Sequence, residues 1–437
     1  MFDKHYRKKM CLSSILFIGI LSYSAFAIDL NIYKSVTEVR QNEEGTGNLN
    51  YVFKNGEYEN IIDGSISWDG TPAIRQEIFN TIDSLKDASV IVRQATVCEC
   101  NVINAKIVDP MTMLLENVDT GAYFYADPRS IEYTSIKPNN GGITLSIDFR
   151  NRRTKFNGTL SYLTRGITWS PNYDLFVTDG NCDLRGYANI RNNQQQDYQI
   201  DNTYLYSGDL QIAYSFIQLP VFKAGVEARP MSSGNAVAVP TIQFDGEQKG
   251  FYFYSLKTDY LLRSTSSIRL PYITTNPKCS FYYQAFTGIS TGVYSGVFQR
   301  TYELTPNQFI PGGILTVRDN QVLIGQSNLP DVPENYTQAV SFGSDNDVRY
   351  SITGNQTAFS DDNTKIPWRS YQLDITISNF KNKPVRGQLN FYGASQTKID
   401  QNTCKSTKLV GTSINYSFNL KANANLQCQL SVTLRWG

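Results

Sequence analysis

A mainly β fold, made of antiparallel, sandwich-like domains with one short helix in the N-terminal part, is what the sequence predicts. Three observations carry that expectation. Apolar residues recur with a period of two at Ile143, Leu145, Ile147 and Phe149, at Leu373, Ile375 and Ile377, and at Leu430, Val432 and Leu434. The residues between them are polar, which is the pattern of a half-buried strand. Turn signals punctuate these runs: Asn139-Asn140-Gly141-Gly142, Asp179-Gly180-Asn181, Ser232-Ser233-Gly234-Asn235, Asp245-Gly246, Pro311-Gly312-Gly313 and Lys381-Asn382-Lys383-Pro384. The composition, with 28 Tyr, 23 Phe and only 18% charged residues, favours strands and polar loops over helices.

The chain opens with Lys4, Arg7, Lys8 and Lys9 ahead of an apolar run, Cys11 to Phe26, that closes on Ala25-Phe26-Ala27. That is the form of a secretory signal peptide over residues 1–27. The run is shorter than the ~20 apolar residues a membrane span needs, and no similar stretch follows. The mature chain from Ile28 is therefore expected to be soluble and exported, without a transmembrane segment: periplasmic, cell-surface associated or secreted. Removing those four basic residues and Asp3 from totals of 40 and 39 leaves 36 basic against 38 acidic residues. A nearly neutral chain offers no charge field for nucleic acid.

The remaining length suggests two or three domains. Residues 28–140 form the expected N-terminal β-rich domain. Its one helix is placed at about residues 72–86, where Thr71 reads as a cap, Pro72 as the first helical residue, and Ile74, Ile78, Phe79, Ile82 and Leu85 fall at helical spacing. The turn at Asn139–Gly142 opens a central β domain, residues 141–308. A loop from Pro306 to Gly313 leads into a C-terminal sandwich-like domain, residues 309–437.

Within the central domain, Leu160 to Leu175 reads LSYLTRGITWSPNYDL. Leu160 and Tyr162 lie on one parity, whereas Ile167, Trp169, Tyr173 and Leu175 lie on the other. The phase changes at Arg165-Gly166, where a bulge or bend is expected. Pro171 cannot donate to a strand ladder, which places it at an edge or a kink. The polar run Arg191 to Gln199 reads as a hairpin loop.

Of seven cysteines, Cys11 falls in the signal peptide, leaving Cys98, Cys100, Cys182, Cys279, Cys404 and Cys428. An even number in an exported chain points to disulfides, whose connectivity sequence does not fix. Cys404 with Cys428, both in the last strands, is the one pairing the order favours. Cys98 and Cys100 share one face of a strand and suggest structural bridges over a redox pair, since no C-x-x-C is present.

The chain has a single histidine, His5, inside the predicted signal peptide. Mechanisms relying on imidazole as base, acid or metal ligand are thereby excluded for the mature chain. Gly288-Ile289-Ser290-Thr291-Gly292 has the letters of a nucleophile elbow but no histidine and no strand-turn-helix setting. Ser395-Gln396-Thr397-Lys398 and Ser344-Asp345-Asn346 occur in the reverse of the order used by penicillin-recognising enzymes, without K-T-G. The stretch from Asp345 lacks the glycine and glutamate of an EF-hand, leaving only a looser calcium site among Asp345, Asp347, Asp361 and Asp362 as an alternative. Zinc would need four clustered thiolates. A carboxylate pair for glycoside hydrolysis could come from distant positions, with Trp68, Trp169 and Trp368 as sugar platforms, although aromatic residues in strands more often pack in a core. Sequons at Asn157, Asn335, Asn355 and Asn415 are no more frequent than chance and carry no inference.

The segment around Trp169, Pro171 and Tyr173 resembles the signature of the domain of unknown function 4139 family, exported bacterial proteins that include mucoidy-inhibitor-like members. Tyr204-Leu205-Tyr206-Ser207-Gly208-Asp209-Leu210 is similar to its following strand. Ile310 to Val317, beginning with Pro311-Gly312-Gly313, then Leu323 to Gln326 and Val340 to Gly343, are similar to its later strands. The likeness covers roughly residues 140–395. Two departures stand out: many members carry a long coiled coil before this region, where here only the short helix is expected, and the stretch beginning Leu30-Asn31-Ile32-Tyr33 matches their first domain only faintly. The resemblance implies an exported β architecture with structural signature residues Gly166, Trp169, Pro171, Tyr173, Pro311 and Gly312, and brings no reaction. The expectation for function is a non-enzymatic binding, assembly or envelope-associated module whose partner is a protein or glycan of the cell envelope or extracellular space, without a cofactor. The alternatives are a carboxylate-dependent, glycosidase-like polysaccharide-modifying enzyme and a calcium-stabilised adhesin.

Overall fold

A computed structural model of the chain describes residues 28–53, 56–95, 100–134, 142–150, 155–212, 241–360 and 366–436. The expected signal peptide, Cys98, Asp361, Asp362 and the turn at Ser232–Asn235 lie outside the described residues. The chain is mainly β, arranged in several antiparallel and mixed sheets, and the alternation seen in the sequence matches burial. In Ile167–Thr178, for instance, every odd-numbered residue is buried and every even-numbered one is partly or fully exposed.

The eight-stranded sheet is built around Ile28–Ile32, which pairs antiparallel with Thr37–Thr46 and parallel with Tyr198–Ser207. Thr37–Thr46 in turn pairs with Lys155–Thr164. A five-stranded sheet runs in the order Ser266–Thr275, Asn181–Asn192, Ile167–Thr178, Gly313–Asp319, Val322–Leu329. A three-stranded sheet sets Ile143–Phe149 between Leu49–Phe53 and Ala73–Asn80. These sheets share one core, in which Leu30, Leu145, Tyr162, Trp169, Tyr173 and Leu315 are all buried. A smaller five-stranded sheet between Ser89 and Tyr133 has its own core around Val92, Ile107 and Leu115.

The nine-stranded sheet takes its strands from Lys278 to Arg435. Its two outermost strands, Gln396–Asn402 and Thr407–Val410, follow one another in sequence, so the sheet bends back on itself over a core that includes Phe298, Ile352, Leu373, Leu389 and Phe418. Gly292–Thr305 and Gln338–Phe359 form a long antiparallel pair that serves both cores. Tyr302 and Phe342 pack in the first, Phe298 and Ile352 in the second. Register shifts at Val297/Phe298 and Gln299/Thr301 lie between these two parts, as bulges that bend a strand do.

Hydrogen bonding crosses both divisions placed on the sequence. Ile143–Phe149 pairs back to strands before residue 140, and Gly313–Asp319 pairs parallel with Ile167–Thr178.

The helix expected at 72–86 is instead the strand Ala73–Asn80 followed by a short 3-10 helix, Thr81–Leu85. Ile74 and Ile78, two members of the supposed apolar stripe, are 67% and 41% exposed. The Thr71 hydroxyl caps no helix and accepts from the backbone N–H of Asn157 at 3.1 Å. Two physical terms favour the strand. Two Ile and one Phe in the strand suit a pleated surface, and Ile143–Phe149 offers an antiparallel partner from Asn80 to Ala73, an energy that local spacing does not contain.

Candidate functional site

The site is built on the Ile167–Thr178 strand. Lys155–Thr164 belongs to the eight-stranded sheet, and the chain turns at Arg165-Gly166 to enter the five-stranded one. The parity change is therefore a corner between sheets, and no bulge within one strand is needed. Gly166 is required there because a Cβ would overlap the Gln194 side chain. Gln194 is itself fixed, donating to Thr164 Oγ1 at 2.7 Å and accepting from the Tyr198 hydroxyl at 2.5 Å. Pro171 pairs with Ala188 on one side, and the parallel pairing on the other side starts only at Asn172. Its missing N–H is thus tolerated in a strand that is central elsewhere.

The inner face of this strand gathers the signature residues. Trp169 Nε1 donates to the Tyr206 carbonyl at 3.0 Å, and the Tyr173 hydroxyl donates to the Pro311 carbonyl at 2.7 Å while also hydrogen bonding to the Tyr272 hydroxyl. The Gly312 N–H donates to Asp331 Oδ1 at 2.5 Å, and Lys34 pairs with the same oxygen at 3.0 Å. Burial drives the Tyr173 and Tyr272 phenols well above their usual range, so both stay neutral donors or acceptors. Trp169 and Tyr173 are buried and their polar groups are satisfied, while Lys34 and Asp331 close the cluster at a partly exposed edge.

The outer face carries different chemistry. Asp174 receives Arg269 at 3.0 Å and Arg318 at 3.2 Å, one from each flank. Arg185 pairs with Asp183 at 2.6 Å. The Arg185 and Arg318 guanidinium carbons lie 4.8 and 5.8 Å from the Phe176 ring centroid, and that of Arg269 lies 4.0 Å from the Tyr187 centroid. Such stacking holds a planar cation against an aromatic face and leaves its edge donors outward. Arg191, Asn189, Asn172 and Ser170 extend the same face along the two central strands. Where the strands end, Phe176, Asp183, Arg185, Asn276 and Lys278 line a shallow cleft of about 910 Å³. Cys182 and Cys279, at the cleft wall, are joined with Cα atoms 6.2 Å apart and tie the five-stranded sheet to the nine-stranded one.

The other sequence candidates are dispersed. Cys404 and Cys428 are joined, with Cα atoms 5.0 Å apart, Cys428 in a strand of the nine-stranded sheet and Cys404 in the connection between its two outermost strands, not in a strand as expected. Cys100 opens a strand opposite Ala95. Gly288–Gly292 connects two antiparallel strands, with no helix following. Ser395-Gln396-Thr397-Lys398 enters a strand, and Lys398 is taken by Asp400 at 3.0 Å. Ser344-Asp345-Asn346 sits at the irregular part of the long antiparallel pair. Asp345 accepts from the Tyr283 hydroxyl at 2.9 Å and pairs with Lys381 at 2.9 Å, and Asp347 shares that ammonium at 3.4 Å. A lysine thus stands where the looser calcium site would place its ion. Burial pushes the Asp345 carboxyl up, but hydrogen bonds from Lys381, the Asp347 backbone and Tyr283 hold it below its ordinary value. Among the described residues, no group of three or more His, Cys, Asp or Glu is arranged around a metal position.

Trp68 packs against Phe149 and Phe156, and Trp169 is 2% exposed in the core. Neither presents a platform, and Trp368 is half-buried at a strand start. Glu57, the most deeply buried carboxylate among the described residues, accepts from the Tyr162 hydroxyl at 2.6 Å inside the first core.

Sequence reasoning missed the outer face. Its signal was present in the polar half of the alternation, Asp183, Arg185, Tyr187, Asn189 and Arg191, whose long cationic and aromatic side chains alternate with Cys182, Leu184, Ala188 and Ile190. Compared with known proteins, the chain matches no family model and no curated protein.

Proposed function

We propose that the chain is an exported, non-enzymatic binding module of the cell envelope that engages its partner through the outer face of the five-stranded sheet. The observation that carries the reading is the array of Arg185, Arg269 and Arg318 stacked on Phe176 and Tyr187 above a rigid sheet. Half-exposed ion pairs of this kind contribute little to folding, ~0–1 kcal/mol each. They suit recognition, where preorganised guanidinium groups lose little freedom on binding. A site on strands is also more precisely held than one on loops. Export is supported by the basic-apolar-small pattern of residues 1–27 and by two disulfides, which persist in oxidising compartments. The likeness of Trp169, Pro171, Tyr173, Pro311 and Gly312 to the domain of unknown function 4139 signature supports the same reading, because those residues form the buried frame behind the face.

The test is capture from an envelope fraction by the immobilised mature chain, compared with an Arg269→Ala/Arg318→Ala variant of equal melting temperature. Capture lost in the variant supports the reading. Equal capture by both places the contact elsewhere and removes it.

A further inference from the structure

The chemistry of the outer face narrows the ligand class, on the premise that this face is the binding surface. We infer that it takes an acidic polysaccharide, laid across the strands so that sugar carboxylates meet the guanidinium groups and hydroxyls meet the neighbouring amides and hydroxyls. Arg269 and Arg318 share the single carboxylate of Asp174, each through one terminal nitrogen. A guanidinium has five N–H donors in a planar fork, so each retains edges suited to a second carboxylate. Counting Arg185, Arg191, Arg269, Arg318 and Lys278 against Asp174 and Asp183, the face and its cleft carry an excess of positive charge. The mature chain as a whole carries none.

Size points the same way. Arg269 and Arg318 stand on strands three steps apart in the sheet. Their side chains lean together over Asp174, whereas Arg185 and Arg191, on one strand between them, stand roughly 20 Å apart at about 3.3 Å per residue, a length that one small anion would not cover. The cleft at Phe176, Asn276 and Lys278 continues the path beyond the sheet edge.

An acidic polypeptide is the other polymer with carboxylates. Its apolar side chains would seek pockets, and its backbone would seek an open strand edge. This face is the flat side of the sheet, where Asn172–Val177 is paired on both sides, and it carries Ser170, Asn172 and Asn189, which suit sugar hydroxyls.

The experiment measures binding of the mature chain to three soluble probes: polygalacturonate, uncharged dextran and poly-L-glutamate. The expected result is saturable binding of polygalacturonate, at least tenfold weaker binding of the other two, and a loss of at least tenfold in the Arg269→Ala/Arg318→Ala variant. Tyr187→Ala should also weaken polygalacturonate binding, because a purely ionic contact would ignore the ring beneath Arg269. Should the double variant fail to fold, Arg191→Ala and Lys278→Ala serve as exposed single replacements, each expected to weaken binding measurably. Equal binding of poly-L-glutamate, equal binding of dextran, no binding of polygalacturonate, or binding indifferent to every one of these substitutions would each overturn the ligand class. Face-dependent capture from the envelope without polygalacturonate binding would overturn this inference and leave the proposed function standing.

Discussion

The two faces of the five-stranded sheet come from alternate residues of the same strands and do opposite work. Inward, Trp169, Tyr173, Leu175, Leu184 and Ile190 are buried in a continuous core. Outward, Asp174, Phe176, Asp183, Arg185 and Tyr187 form ion pairs and cation-π stacks that water still reaches. Burial of large apolar groups contributes on the order of 1.5–3 kcal/mol per side chain, whereas exposed ion pairs contribute a fraction of that. The inner face therefore accounts for the sheet's existence. The outer face is chemically elaborate without a matching return in stability, which is the reason to look for binding there.

Substitutions on each side can break this comparison. The largest effect is expected from Trp169→Ala, which empties a site that is 2% exposed and removes the indole donor to the Tyr206 carbonyl. A loss of about 3–5 kcal/mol follows from cavity formation, read as a lowered denaturation midpoint. Replacing Cys182 and Cys279 together by Ser should cost about 2–5 kcal/mol, because the bridge closes a sequence separation of 97 residues. Removing Cys404 and Cys428, separated by only 24 residues, should cost less, and a reversed order in urea melts would contradict the chain-entropy account.

Tyr173→Phe removes the donor to the Pro311 carbonyl and should cost about 1–3 kcal/mol, with the ring's packing retained. Asp345 gives a pH signature. Its folded-state affinity for protons is lowered, so its contribution is present above the unfolded carboxylate range and is lost as pH falls through that range and below. Asp345→Asn should flatten the acid limb of a stability profile, and an unchanged limb would remove Asp345 from the account. The smallest stability change is expected on the outer face, where each of the two ion pairs removed in Arg269→Ala/Arg318→Ala should cost at most about 1 kcal/mol.

Much of the β architecture was legible in residue alternation, because burial of one sheet face imposes a period of two. The runs at Ile143 and Leu373 are strands, and the phase change at Arg165-Gly166 marks a true corner. The segment from Ala73 to Asn80 misled, since helical spacing is a local property and its strand depends on Ile143–Phe149, more than sixty residues later in the chain. The same limit hid the partner of Cys182, which sits on a neighbouring sheet. The candidate site was hidden for a further reason. Arg269, Arg318 and Asp174 come from three separate strands, and only the sheet order makes them neighbours.

The most direct test of the division between the faces is the affinity of the Arg269→Ala/Arg318→Ala variant for polygalacturonate, measured alongside its melting temperature. The account predicts at least a tenfold loss of affinity with the melting temperature essentially that of the parent chain. Unchanged affinity, or a collapse of stability comparable to that of Trp169→Ala, would contradict it.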